Sequence, residues 1–397
     1  MRRISRVILK NYKSIAECDV ALDLFTILAG PNGAGKSNFL DALRFCRDAL
    51  RTPLDQVFAK RYSSLYNLIH RSPAKPDSLE MRFDFTLDEG QEGYYRFEIG
   101  SQPTRGFEVR AEECVVRPSG GKREHTFSQR SGEIICSLTT IPLRFSANRL
   151  SLVNASGLPE FHPVYELLSG LEFYAPDPEV MRNELDTAGS ADILDADGEN
   201  LASVFDRLSR TQGTTKDRIV QYLRAIVPGL ERVEAEDFKS AKLLNFYLAT
   251  AGSDANEFLT SAMSDGTLRA LALLVALFQN AGSESRAALI GIEEPEAGLH
   301  PSATAVLLDA IREASESVQV VVTSHSTDLL DNRDIPSDAI RAVSWEHGQT
   351  SIRNIDEAGR SAMRDHLYTA GELLRMGALN PEPGVSDTPE SEAPLFR

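Results

Sequence analysis

Leu24-Phe25-Thr26-Ile27-Leu28-Ala29-Gly30-Pro31-Asn32-Gly33-Ala34-Gly35-Lys36-Ser37-Asn38 is the stretch on which the fold turns. The apolar run Leu24 to Ala29 predicts a buried strand. From Asn38 to Leu50, apolar residues at Phe39, Leu40, Leu43 and Ala49 predict a helix. Between the two, Gly30 to Ser37 meets the pattern G-x-x-x-x-G-K-[ST] in full. Its glycines let the backbone curl until successive N–H groups converge on phosphate oxygens, and the following helix N-terminus adds partial positive charge. Lys36 is placed to reach terminal phosphates, and the Ser37 hydroxyl to hold Mg²⁺. Asn32, Gly33, Ala34, Gly35, Lys36, Ser37 and Asn38 form the candidate cradle. At average glycine frequency, a chance match in a chain of this length is on the order of 1%.

Three later stretches extend this reading. Ala288 to Ile292 is a second apolar strand, and it runs into Glu293-Glu294-Pro295-Glu296. Acids at the carboxyl end of such a strand sit where open α/β sheets bind ligands. Strand alternation turns Glu293 and Glu294 to opposite sides, so Glu293 is assigned to the metal and Glu294 to the attacking water as general base. The strand Val318 to Thr323 ends at Ser324-His325-Ser326, where His325 can hydrogen-bond a terminal phosphate and sense its loss. Finally, Ser264-Asp265-Gly266-Thr267-Leu268-Arg269 opens an apolar helix. Ser264 can simply cap it, or Ser264 and Gly266 can receive a phosphate carried by a second subunit.

The remainder of the chain sets limits. Hydrophobic content of 42% and charged content of 25% are those of an ordinary globular protein. The balance of 42 basic and 58 acidic residues gives −16, which argues against coating nucleic acid by bulk charge. Four dispersed cysteines with no C-x-x-C pair argue against zinc or a disulfide framework. No apolar run reaches the ~20 residues of a membrane span, and the N-terminus lacks a secretory apolar core. The expected location is the cytoplasm.

Ile4 to Leu9 alternates as a strand should. Met81 to Phe85 and Tyr95 to Ile99 do the same within a Gly- and Pro-broken region. Helical periodicity runs from Val164 to Ile226, and strands are expected between Val233 and Thr250. Beyond Thr267, helices alternate with buried strands, which predicts an α/β fold with a parallel sheet. The expected organisation is one head over 1–380. Within it, 1–78 and 233–380 form the nucleotide-binding core, 79–145 an antiparallel β lobe and 146–232 a helical insertion. A disordered acidic tail is expected over 381–397.

In this order the four motifs resemble the set that defines ABC-type ATPases: Walker A, signature, Walker B with D-loop, and H-switch. The opening Leu9-Lys10-Asn11-Tyr12-Lys13-Ser14-Ile15 and the Ser264 to Arg269 signature resemble the RecF, SMC and OLD branch rather than transporters. Ile292 to Pro301 is similar to the ATPases grouped as AAA_21. The resemblance implies a P-loop NTPase head of ABC type with a mixed or parallel sheet, an antiparallel β lobe and a helical lobe. It implies ATP and Mg²⁺ as ligands, with Ser37 and Glu293 on the metal and Glu294 and His325 in catalysis. Lys13 is implied as a nucleotide contact. It also implies a homodimer with ATP at the interface, completed by Ser264 and Gly266 of the second copy, with Ala297 to His300 crossing between them. Two departures stand out: Glu293 replaces the more usual Asp, and no Q-loop glutamine is identified, Gln56 and Gln91 being candidates by position alone.

The expected function is an ATP-hydrolysing, dimerising switch that controls a separate effector, as in anti-phage systems. The alternatives are a DNA-repair or DNA-clamp ATPase that binds DNA, a transporter energy subunit and a nucleotide-bound scaffold with negligible turnover. No cluster of metal-binding acids follows His325, so the chain is not expected to cut DNA itself.

Overall fold

A computed structural model of the 397-residue chain describes residues 2–104, 106–120, 123–130, 133–136, 148–182, 192–238, 241–250, 253–279 and 287–383. The end of the expected β lobe, 137–145, residues 146, 147 and 183–191 of the expected helical insertion, and residues 384–397 of the expected tail lie outside these. The elements used below, in chain order, begin with β1 (Arg3–Tyr12), β2 (Ile15–Ala21), β3 (Phe25–Ala29), α1 (Lys36–Arg51), β4 (Ser78–Thr86) and β5 (Glu92–Gly100). Then come β6 (Glu108–Arg117), β7 (His125–Arg130), β8 (Glu133–Cys136), α2 (His162–Ser169), β9 (Leu171–Tyr174), α3 (Leu201–Thr211) and α4 (Gly213–Ile226). They continue with β10 (Leu230–Phe238), β11 (Ala241–Thr250), β12 (Ser253–Leu259), α5 (Asp265–Phe278), β13 (Leu289–Glu293) and α6 (Pro301–Ser315). The last are β14 (Gln319–Ser324), β15 (Ile340–Glu346), β16 (Gln349–Asn354), α7 (Glu357–Arg364) and α8 (Ala370–Arg375). The chain divides into two compact units, Met1–Leu171 with Ile335–Arg397, and Glu172–Asp334.

In the first unit an antiparallel sheet runs in the order β2-β1-β4-β5-β6-β7-β8. Its strands alternate because one face is buried: Leu79, Met81, Phe83 and Phe85 of β4 point in, as do Tyr95, Phe97 and Ile99 of β5. Phe83 lies opposite Tyr95 and Met81 opposite Phe97, the aromatic cross-strand pairing that stabilises sheets. The sheet is wider than the sequence suggests. β1 pairs with both β2 and β4, so the N-terminal strands belong to the same sheet as the lobe expected only from residue 79. A second group of strands, β16-β15-β3, carries the phosphate loop. β15 is parallel to β3 and forms a hairpin with β16. The hairpin's two turn residues, His347 and Gly348, both have positive φ, 51° and 83°, the geometry whose twist matches the flanking strands.

The second unit is built on the parallel pair β13 and β14, in register from Leu289 opposite Gln319 to Glu293 opposite Thr323. α6 is the crossover a parallel connection requires. β14 is buried along its whole length, and strands covered on both faces read as continuous apolar runs. That is why Ala287–Ile292 and Val318–Thr323 are recognisable from sequence. α5 is buried almost all round. α4 is tied to α6 by the Arg218–Glu313 ion pair and by Tyr222 Oη donating to Glu313 at 2.7 Å. β10, β11 and β12 form an antiparallel meander. Within the stretch expected to be helical lies the short strand β9, which neighbours β13.

Candidate functional site

The phosphate loop joins β3 to α1 through backbone that only glycine adopts readily. Gly33 and Gly35 have φ of 77° and 104°, in the left-handed region that penalises a Cβ. Two positions are also crowded. A Cβ on Gly30 would collide with the Val343 carbonyl of β15, and one on Gly35 with the Thr350 hydroxyl of β16. Around Gly35 the polar groups interlock. Ser14 Oγ and Thr350 Oγ1 are 2.7 Å apart, Asn38 Nδ2 donates to Ser14 Oγ at 2.6 Å, and Thr350 N donates to Ser14 O at 2.8 Å. Lys36 is buried, and its ammonium donates to Gly30 O and Pro31 O at 2.8 and 2.9 Å. A cation is thereby held against the loop, at the start of a helix whose cap residue, Gly35, offers no side chain. Asn32, Gly33 and Ser37 are exposed and Ala34 is buried. A loop with left-handed glycines and a buried lysine at the start of a helix fits a nucleotide polyphosphate.

Lys13 lies beside this cradle and ends on a carboxylate. Its Nζ is 2.5 Å from Asp41 Oδ2 on α1, and its left-handed φ of 49° follows that of Asn11 at 56°. Asp41 also accepts from Tyr12 Oη at 2.7 Å, Tyr62 Oη at 3.1 Å and Arg61 at 3.1 Å. Burial pushes the Asp41 carboxyl up, but the Lys13 and Tyr12 hydrogen bonds and the Arg61 charge win and hold it below its usual range. Neither glutamine considered for a Q-loop joins this cluster: Gln56 follows Leu54 in a short helical turn and Gln91 precedes β5.

In the second unit, the acids stand at the carboxyl end of β13. Glu294 has φ of 46°, a strained setting for a non-glycine residue. It is held there by its own N–H, which donates to Thr323 O at 3.0 Å. Its side chain meets the next strand's loop, with His325 Nδ1 2.8 Å from Glu294 Oε1. An ionised carboxylate only accepts, so against one this contact requires the proton on Nδ1 and leaves Nε2 for another partner. Both side chains are about two-fifths exposed, 42% and 38%, open enough to meet a ligand. Arg269, on the first turns of α5, lines a cavity of about 280 Å³ together with Glu293, Glu294, Pro295 and Ala297. Its Nε is buried without a hydrogen-bond partner. Within their own units, the Ser37 hydroxyl and the Glu293 carboxylate are each hard oxygen donors of the kind that suits Mg²⁺.

At the start of α5, Ser264 Oγ accepts from Thr267 N at 3.2 Å, so it caps the helix in the ordinary way. Arg182 donates to Asp265 at 2.5 Å and to Met263 O at 2.8 Å. Gly266 packs on Gly298, and a Cβ on it would collide with the Gly298 carbonyl. The glycine is therefore required within the chain, whatever else it meets.

The residues thus fall into two groups. Lys13 and Asn32 to Asn38 gather in the first unit; Ser264, Gly266, Glu293, Glu294 and His325 lie in the second. Several partners escaped the sequence reading. Thr350 and Ser14 meet across 336 residues, and Asp41 sits inside a helix with no motif of its own. Arg269 had a signal, since it closes the Ser264 to Arg269 stretch.

A family model described as "AAA domain, putative AbiEii toxin, Type IV TA system" matches residues 25–331. The chain is similar to the Old nuclease of Escherichia phage P2, at 23% identity over 385 residues, covering 89% of this chain and 61% of that protein. It is also similar to Structural maintenance of chromosomes protein 1 of Schizosaccharomyces pombe, at 24% over 200 residues, 47% of this chain and 15% of that one. The chain therefore spans less than two thirds of either relative's length. Among solved structures, an Smc head bound to the C-winged helix domain of ScpA superposes with a TM-score of 0.58 at 18% identity, covering 91% of this chain and 99% of that one. An Smc head with an extended coiled coil, bound to the C-terminal domain of ScpA derived from Pyrococcus furiosus, gives 0.54 at 15%, covering 92% and 100%. At these identities the likeness establishes the fold, which is that of a P-loop ATPase head.

Proposed function

The chain belongs to the AAA_21 family of AAA domains, and from that premise we propose that it is an ATPase of the SMC/OLD type, a dimerising switch that hydrolyses ATP to control a separate protein effector. The backbone of Asn32 to Lys36 wraps the phosphates, and Lys36 neutralises the terminal ones. Asn38 and Lys13 border the nucleotide. Ser37 and Glu293 would contribute oxygen ligands to Mg²⁺, which would supply charge neutralisation on the phosphate oxygens. Glu294 takes a proton from the water that attacks the γ-phosphorus. The bond from that phosphorus to the bridging oxygen breaks, and ADP and inorganic phosphate leave. His325 orients the Glu294 carboxylate through Nδ1 and offers Nε2 to the γ-phosphate.

The observation that carries this reading is the 2.8 Å contact between His325 Nδ1 and Glu294 Oε1 at the ends of adjoining parallel strands. A solvated acidic loop has no need of an oriented imidazole. Ser264 and Gly266 are assigned to the nucleotide of a second copy, with Ala297 to His300 at the interface between copies. Among the described residues no helix is long and apolar enough to cross a membrane. The net charge of −16 favours a protein effector over duplex DNA as the trigger, and defence against phage is the setting in which such a switch is expected.

Steady-state ATP turnover by the purified chain, with and without linear duplex DNA, tests this. Lys36-dependent turnover indifferent to DNA is the expected result, and several-fold stimulation by DNA would replace the switch with a DNA clamp. In the same assay, a mixture of Ser264→Arg and Lys36→Ala chains, each inactive alone, should regain activity if two copies share each site. No recovery at any ratio would remove the shared site.

A further inference from the structure

Two carboxylates follow β13 and reach the end of β14 and the residue after it, and only one has been given a task. Glu294 meets His325. Glu296, two residues on, meets Ser324, whose Oγ donates to Glu296 Oε1 at 2.6 Å. Ser324 Oγ in turn accepts from Ser326 N at 3.0 Å, and Ser326 Oγ receives the Leu329 N–H at the start of the helical turn Thr327–Leu330. His325 is therefore flanked on both sides by residues tied, directly or through one hydroxyl, to the Glu296 carboxylate. On the other side, Ala297 N donates to Glu294 O and Leu299 N to Glu296 O, both at 3.0 Å. The turn that presents Glu294 and the turn that presents His325 are joined by this second rung.

The chemistry of Glu296 is poor value as mere stabilisation. The residue is only 9% exposed, and its Oε2 is buried with no hydrogen-bond partner. Burial pushes its carboxyl up, partly offset by the Ser324 hydrogen bond. A half-satisfied buried acid is destabilising against an apolar residue of the same size. Such a group persists where its geometry serves something else. Ser324 is wholly buried as well, so the rung sits behind the Glu294–His325 pair and does not face solvent.

We propose that Glu296 is a positioning residue, clamping Ser324 so that the His325 imidazole stays in line with the Glu294 carboxylate. This deepens the ATPase reading and rests on it. The clamp acts on the pair that prepares the attacking water, not on nucleotide binding. Its removal therefore lowers kcat and leaves KM for ATP in place.

The test compares the full chain with Glu296→Ala, Glu296→Gln and His325→Ala, singly and combined, with thermal melts alongside. Glu296→Ala should lower kcat about tenfold, as loss of an outer supporting hydrogen bond does elsewhere, with KM unchanged within about twofold. Glu296→Gln keeps an oxygen that accepts from Ser324 and should recover to within about threefold of the parent. Added to His325→Ala, Glu296→Ala should cost nothing further, because the residue it positions is gone. Ser324→Ala breaks the same rung from the other side and should reproduce the kcat loss should Glu296→Ala fail to fold. Additive losses, no rescue by Gln, or a rise in KM at constant kcat would overturn the proposal. If the parent shows Lys36-dependent turnover and Glu296→Ala keeps it, only this inference falls. If the parent shows none, the ATPase reading falls and the inference goes with it.

Discussion

The phosphate loop and the carboxylate turn are built from different material. In the loop, backbone does the work: Gly33 and Gly35 hold left-handed φ, and Gly30 and Gly35 lie against Val343 and Thr350 with no room for a methyl group. In the turn, side chains do it. Glu294 is a non-glycine residue at φ 46°, and its value lies in a carboxylate aligned by His325 and backed by the Glu296–Ser324 rung. Backbone geometry fails abruptly when a single Cβ is added. A side-chain array degrades in steps as partners are removed. The first region should therefore control whether nucleotide binds, and the second how fast it is turned over.

The comparison is broken most directly at Gly35. Gly35→Ala adds a Cβ at φ 104° against the Thr350 hydroxyl. Overpacking and backbone strain together come to about 3 kcal/mol, or roughly 100-fold in affinity. Calorimetric titration with an ATP analogue should show that loss, and affinity within threefold of the parent would mean that the loop tolerates the methyl.

A smaller effect is expected at Asp41, where the loop's helix leans on side chains. Asp41→Asn leaves Lys13 and Arg61 without their anion and should lower unfolding stability by about 2 kcal/mol at neutral pH. Because the native Asp41 carboxyl titrates below its unfolded value, its stabilisation is full above the ordinary Asp range. It is lost as pH falls through the lower native value. The gap between parent and variant in denaturant titrations should close on acidification. A gap that stays constant down to the acid transition would mean that shape, not charge, is at stake there.

How much of this is legible in the sequence follows from the same contrast. Glycine spacing encodes positive φ and close approach locally, so Gly30 to Ser37 announces itself. The apolar runs ending at Glu293 and Ser324 do so because buried parallel strands leave no polar positions, and the α/β fold could be read from them. Other features left no local trace. β9 is four residues long, too short for any period to show. β1 alternates correctly, but its pairing with β4 rather than with β3 is set by a partner 70 to 83 positions away, from Lys10 opposite Glu80 to Arg3 opposite Thr86. Thr350 and Ser14 form one hydroxyl pair from opposite ends of the chain. Glu296 stood in plain view beside Glu294, yet its role depends on a serine one crossover later. That placement exists only once β13 and β14 lie in register.

One pair of variants tests the division of labour at its centre: Lys36→Ala and Glu294→Gln, each measured for ATP binding by calorimetry and for steady-state turnover. The account predicts that Lys36→Ala loses both, whereas Glu294→Gln binds ATP like the parent and turns it over at least about 100-fold more slowly, as loss of a general base requires. Micromolar binding by Lys36→Ala, or near-parental turnover by Glu294→Gln, would contradict it.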